Sequence, residues 1–392
     1  MFKYKELSNC DTENLILPIL VHKDCEYRKD LNKKLKKYIE MLENMQFISK
    51  DLLIEIKDIN RTILSAVDNY YNAEVFMAQK GISDLLNKFK EYELLVSNLD
   101  NCFAFKSMVP YLNSKIITKK ERVEVKSKPL NFYRARIAAN PGKRFIDKEM
   151  LHIPFNNRGI IQTQRFSIAG VPCMYFGVSS YVCWTELGMP SNELFNVSSY
   201  RIKGVLKILD LTFGWSLVKI VIEEYESLEN PEDLIHALLK IWPLICATSY
   251  KVEEENRSFK SEYIISQLIT SSLSKIGIDG IAYISKQSAV DYEAYPVSVN
   301  LAIPMRTNNN NDIISDFCNN IKISPVVNFE EFNKLKSRHQ KSSEQSSLIY
   351  FHKYHRTPIN ITMAAQKVIY DDSKFGEFDN YLSGLTHKEI DF

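Results

Sequence analysis

Apolar residues recur every three to four positions through the first hundred residues of this chain, and then the recurrence stops. That change of period constrains the fold most, because a 3.6-residue stripe is one face of a helix and a chain that abandons it must build something else. Leu31, Leu35, Tyr38, Ile39 and Leu42 form a first stripe, with Lys33, Lys34, Lys36 and Lys37 crowding the other side. Ile56, Ile59, Ile63, Val67 and Tyr70 form a second. After a break expected at Gly81, Leu85, Leu86, Phe89 and Tyr92 form a third. Residues 28–96 therefore read as an antiparallel helical bundle inside an N-terminal helical region, residues 1–105. The lysine-rich face reads as a solvated helix surface; no aromatic residues interleave with it, so nucleic acid is not indicated.

From residue 106 to about Pro304 the texture changes to short β-branched and aromatic runs broken by Pro, Gly and Asn. Such runs are strand signals, and together with the preceding helices they give an α+β expectation. A helical insert at about 227–268 contains PEDLIHALLKIW, with Pro231 where a first helical turn tolerates proline. Residues 306–392 begin in the asparagine-rich RTNNNND and form a C-terminal tail without an assignable pattern. No internal repeat and no sustained heptad run is present.

The chain has 392 residues, which makes two or more folding units the default. Its 50 Lys and Arg against 48 Asp and Glu leave a net charge of +2, too small a field to imply a polyanionic partner or an anionic membrane. No apolar run is long enough to span a bilayer, and the charges in MFKYKELSNCDTENLILPILVHKDC interrupt the hydrophobic stretch a signal peptide needs. The seven cysteines contain no Cys-x-x-Cys spacing and sit mostly among apolar neighbours, as reduced core thiols do. A cytoplasmic protein is expected.

Most familiar catalytic fingerprints are missing: no Walker loop, no Gly-x-Gly-x-x-Gly, no Gly-x-Ser-x-Gly and no His-Glu-x-x-His. His352 and His355 have i, i+3 spacing but no clustered acidic or cysteine partners, so no metal is expected. What remains is a dispersed polar set. Arg134 stands in NFYRARI; Arg165, Tyr175 and Glu186 stand in QTQRFSIAGVPCMYFGVSSYVCWTELG; Ser285 stands in GIDGIAYISKQ and Asn300 in VSVNLAIP. The middle segment, residues 162–188, reads as two short strands around a Gly-Val-Pro turn, followed by a helix that ends at a glycine.

In the order of these pieces, their aromatic neighbours and the spacing from arginine through Gly-x-Pro and tyrosine to glutamate, residues 128–304 resemble the RES domain family. The resemblance implies an ADP-ribosyltransferase-like mixed β domain, residues 106–305, that takes NAD+ as its substrate and cleaves the nicotinamide–ribose bond. It also implies a bacterial toxin or defence effector that depletes NAD+, with water or phosphate accepting the ADP-ribose. The helical region, the insert and the tail depart from the small toxins of that family. They suggest gating within the chain, or by an antitoxin or regulatory protein bound through the N-terminal helices; the oligomeric state stays open.

The chemistry of that reaction fits the residue types. Guanidinium groups suit paired phosphate oxygens, so Arg134 and Arg165 are the candidates for the pyrophosphate or for inorganic phosphate. A carboxylate beside the ribose stabilises oxocarbenium charge, the role expected of Glu186. Tyr175 can stack on the nicotinamide ring, Ser285 can hydrogen-bond its amide or the ribose, and Asn300 belongs to the same polar wall. Arg165, Tyr175 and Glu186 would then converge on the rim of one cleft while Val178, Val182, Cys183 and Leu187 pack beneath. Each has a plainer alternative: Arg136, Arg144 and Arg158 as ion-pair partners, Tyr175 as core, Ser285 as a turn residue. Two other functions remain open at this level, transfer of ADP-ribose to a macromolecule and a non-catalytic module that binds nucleotide.

Overall fold

The computed structural model describes residues 7, 15–21, 26–45, 48–105, 130–223, 226, 230–252, 257, 259–287, 295–307, 313–338, 350–352, 355–357, 359–363 and 366–391. In chain order the strand β1 (Ile19–Val21) precedes the helices α1 (Tyr27–Glu43), α2 (Lys50–Tyr71) and α3 (Val75–Phe89). Then come β2 (Val96–Asn98), β3 (Phe132–Ile137), β4 (Cys173–Gly177), α4 (Ser180–Glu186), β5 (Phe195–Ile202), β6 (Lys207–Leu211), α5 (Trp215–Glu223) and α6 (Pro231–Thr248). They are followed by β7 (Tyr250–Val252), α7 (Ile264–Ser272), β8 (Gly280–Ile284), β9 (Val299–Pro304), β10 (Ile321–Ile323), β11 (Val327–Asn328) and α8 (Phe329–Arg338). The hairpins β12 (Tyr350–His352) with β13 (His355–Thr357) and β14 (Asn360–Met363) with β15 (Gln366–Ile369) lead to α9 (Lys374–Gly384) and β16 (Lys388–Glu389).

The three helical stripes bury the residues their spacing selects: Leu31, Leu35, Tyr38 and Leu42 on α1; Ile56, Ile59, Ile63 and Val67 on α2; Leu85, Leu86 and Phe89 on α3. The break between the last two is not at Gly81, which lies inside α3. It falls at Ala73, whose φ of 63° places it in the left-handed region and turns the chain after the Asn72 cap. Pro231 stands at the start of α6, where its missing N–H costs no helical bond.

One mixed sheet organises the rest, in the order β16-β10-β5-β3-β4-β9-β8-β6-β2, with β11 also paired to β5. Within it β6 and β8 run parallel and the other described pairs antiparallel. The fold is α+β. The helical region does not stand apart from the sheet, since β2 adds to β6 and the apolar faces of α1, α2 and α3 share one core with α6, α7 and the sheet. The segment after residue 306 extends the sheet. Ser324 interrupts its pairing with β5, but exchanges bonds with Ser199 on both sides: its N–H donates to Ser199 O at 2.9 Å and its hydroxyl accepts from Ser199 N at 3.0 Å.

Alternation along β3 and β5 separates two cores. Phe132 and Tyr200 face the large one, whereas Tyr133, Phe195 and Val197 face a second, which also holds Phe329, Phe332, Phe375 and Phe378 from α8 and α9. The helix α4 lies on this second face. Its neighbour in the sheet must be glycine, because a Cβ on Gly177 would stand 2.4 Å from Val182 Cγ1 and 2.8 Å from Cys183 Sγ.

Candidate functional site

The segment expected as strand, turn and strand is built differently at its start. Residues 162–172 form successive turns: Ser167 N–H donates to Gln164 O at 3.3 Å, Gln164 N–H to the Ser167 hydroxyl at 3.0 Å, and Val171 N–H to Ile168 O at 3.0 Å. Those local bonds use the backbone groups a strand would offer to a ladder. The second strand is β4, and the helix is α4. Both its ends are fixed. At the start the Ser179 hydroxyl accepts from Val182 N at 3.0 Å and donates to Val297 O. At the finish Gly188, with φ 76°, and Met189 close a Schellman pair, Gly188 N–H to Thr185 O at 3.1 Å and Met189 N–H to Trp184 O at 2.9 Å.

Glu186, the last residue of α4, is exposed, and its carboxylate accepts from the Asn300 side-chain amide at 2.8 Å. Asn300 is 4% exposed, so this contact orients an open carboxylate from a fixed base. The register places Asn300 opposite Gly177 on one side and Tyr283 on the other, so these positions share a face of the sheet. Arg165 stacks over that same Tyr283, 5.0 Å from its ring, and over Phe166 at 4.9 Å. Its guanidinium donates to Ile284 O at 3.2 Å, while its buried Nε makes no hydrogen bond. Burial pushes Arg165 down to about 10, against the pull of Tyr283, Tyr263, Glu186 and Tyr175, so it keeps its charge at neutral pH. Burial also lowers Lys286 well below the ordinary lysine range, and Arg165 adds to the effect.

Arg134 stands one strand away. β3 and β4 share a single described pair, Tyr133 with Gly177, and diverge beyond it. Arg134 reaches across, donating to Tyr175 O and to Leu151 O, both at 3.3 Å, with its buried Nε unbonded. Arg136 also donates to Leu151 O, at 3.1 Å. Among the described residues no carboxylate lies within 4 Å of Arg134, Arg136 or Arg165. Arg144 does pair, with Glu331 at 3.2 Å, and Arg158 donates to Gly170 O at 2.9 Å and stacks on Phe155. A cavity of about 240 Å³ opens beside Arg134, lined also by Cys173, Tyr175, Ser167, Gln164 and Ile161.

The structure thus gathers Glu186, Asn300 and Arg165 around Tyr283, and Arg134 with Tyr175 around the neighbouring cavity. Tyr175 is the hinge between them: burial raises its phenol well above the ordinary range, with Cys173 and Tyr283 adding to the effect, which keeps it neutral. Ser285 is buried at the end of β8, where its N–H donates to Ser298 O at 2.9 Å and its hydroxyl accepts from Gln287 N at 3.1 Å, a turn arrangement. Tyr283 and Lys286 belong to this cluster and were not singled out by sequence; the signal was their place in the GIDGIAYISKQ piece, two residues before and one after Ser285. The side chains of His352 and His355, and Cys10 and Cys25, lie outside the described residues. The described cysteines are free.

The chain is similar to a protein of Bacillus subtilis (strain 168) described as "Putative toxin YopC", with 27% identity over 350 residues that cover 85% of this chain and 72% of that one. No family model matches the chain, and no solved structure does. Among the described residues, no helix is long and apolar enough to cross a membrane.

Proposed function

We propose that this chain is a toxin enzyme that cleaves the nicotinamide–ribose bond of NAD+. One observation carries the reading: an exposed carboxylate, oriented by a buried asparagine, stands in the field of the Arg165 guanidinium, and neither Arg165 nor Arg134 beside the neighbouring cavity has a carboxylate partner among the described residues. Cations held by carbonyl oxygens and aromatic faces keep donors for an anionic ligand, and a pyrophosphate supplies the paired oxygens that suit them. The similarity to a protein described as "Putative toxin YopC" supports the toxin part of this reading.

In this reading Arg134 and Arg165 receive the diphosphate, and the cavity of about 240 Å³ takes one end of the dinucleotide. Glu186 faces the ribose. As the bond to nicotinamide lengthens, positive charge spreads over C1′ and the ring oxygen, and the carboxylate stabilises it. The electron pair of the breaking bond leaves with nicotinamide and neutralises the pyridinium. Water or phosphate then forms the new bond at C1′ and gives up a proton.

The test is chromatography of products after incubating the protein and its Glu186→Gln variant with NAD+, with and without phosphate. Free nicotinamide from the wild type and a loss on the order of 10²-fold or more in the variant is the expected result. ADP-ribose or its phosphate ester identifies the acceptor, and label retained on macromolecule identifies a transferase. Intact NAD+ with the wild type, or full turnover by the variant, overturns the proposal.

A further inference from the structure

The helix α9 carries a carboxylate that the chemistry above does not use. Asp379 is 4% exposed, and its two oxygens accept from the backbone N–H of Ser180 at 3.0 and 3.1 Å. The Tyr370 hydroxyl donates to the same carboxylate, and the Tyr133 hydroxyl donates to the Asp379 backbone carbonyl at 3.1 Å. Among the described residues no Lys, Arg or His lies within 4 Å of it. Burial holds its carboxyl up at about 7 despite these donors.

A buried carboxylate without a cation is expensive, and it persists where its acceptor capacity serves a particular donor. That donor is the first N–H of α4, a helix of seven residues whose last is Glu186. In so short a helix each end sets the other. The remaining contacts agree: Ser179 is tied to Val297, three residues before Asn300, and α4 rests on Gly177. Trp184, two residues before Glu186, packs on Phe375 of α9 at 5.2 Å between ring centroids.

We propose that Asp379, held by Tyr370, is a positioning residue: it anchors the start of α4 and thereby fixes where Glu186 stands against Asn300. The catalytic half of this statement rests on the function proposed above, and the anchoring half does not.

Both halves are tested on the full chain with Asp379→Asn and Tyr370→Phe, by steady-state NAD+ cleavage and by hydrogen exchange resolved to peptides. Asp379→Asn is expected to lower kcat about tenfold or more while KM stays within about twofold, because a misplaced carboxylate weakens the transition state more than substrate binding. Amides of residues 180–187 are expected to exchange about tenfold faster while β4 and β9 keep their protection. Tyr370→Phe leaves the carboxylate in place and should move both readouts less, in the same direction; it carries the test if Asp379→Asn does not fold. Unchanged exchange at 180–187 overturns the anchor, and faster exchange with unchanged kcat overturns the positioning role. If the wild type leaves NAD+ intact, the proposed function fails. The Asn300 side-chain amide signal, assigned with Asn300→Asp, then decides: a shift in Asp379→Asn supports the link to Glu186, and no shift overturns it.

Discussion

Replacing Gly177 by alanine tests how tightly α4 is seated. The added Cβ would stand 2.4 Å from Val182 Cγ1, 2.8 Å from Cys183 Sγ and 2.9 Å from Ser179 O. Carbon atoms in contact prefer about 3.5–4.0 Å, so the shortest approach is too close by roughly 1.1–1.6 Å. A valine methyl can turn aside, but a backbone oxygen cannot, and it belongs to the residue that caps the helix. The helix must lift or the strand must bend. Overpacking of this kind costs about 1–3 kcal/mol. Under the function proposed above, a lift of about 1 Å carried to Glu186 would lower turnover on the order of 10²-fold, since reacting groups tolerate little displacement. Urea unfolding reads the first quantity and nicotinamide release the second. If Gly177→Ala stays within about 0.5 kcal/mol of the wild type and keeps full turnover, α4 is not seated as described, because a change of that size is what an ordinary surface substitution produces.

Two further outcomes follow from the cores. His152 is buried and accepts from Ser315 N–H at 3.0 Å through Nε2, with Nδ1 beside Ile153 O at 2.7 Å, so the folded ring is neutral. Burial lowers its pKa, with Arg134 and Arg158 adding to the effect against the Ile153 contact. The unfolded ring takes its proton first as pH falls below about 6.5. The contribution of His152 is therefore complete above that value and is lost as pH falls through the folded pKa. Asp379 and Asp210, raised to about 7 and about 6, act with the opposite sign and lose stability as pH rises toward those values. A comparison of the wild type with His152→Gln by urea unfolding from pH 5 to 8 isolates the histidine: the variant should fall less steeply below about 6.5, and equal slopes would refute the neutral ring. Phe378 is fully buried between Phe329 at 5.0 Å and Phe332 at 4.9 Å. Phe378→Ala should lose about 3–5 kcal/mol in the same assay, and a loss under about 1 kcal/mol would mean that this aromatic layer does not seat α9.

The helical third was legible because its signal is periodic over many residues: Ile56, Ile59, Ile63 and Val67 on α2 recur at helical spacing and are all buried. Its internal break was misplaced, since glycine is an obvious stop signal whereas the left-handed turn falls on Ala73, a residue with no such preference. The turns at 162–172 were read as a strand because the bonds between Gln164 and Ser167 are a matter of local geometry that an apolar alternation does not reveal. The C-terminal strands were illegible for a simpler reason. β10, β11 and β16 are two or three residues long, too short to show any period; β10 and β11 exist because β5 offers them an edge, and β16 because β10 does. Motif spacing singled out Glu186, Arg165 and Asn300, which the structure brings together, but it did not single out Asp379, since nothing local marks a residue whose partner lies 199 positions away.

That separation also orders events during synthesis. The strand β4, the helix α4 and Glu186 leave the ribosome long before Asp379 has been made. At about 5–20 residues per second, 199 residues take roughly 10–40 s, and for that interval the N–H of Ser180 lacks its acceptor. A half-made chain therefore carries Glu186 on a helix that lacks this anchor. Under the function proposed above, the cell that makes the protein would meet the assembled site only after residue 379 has been translated and α9 has folded back onto the sheet.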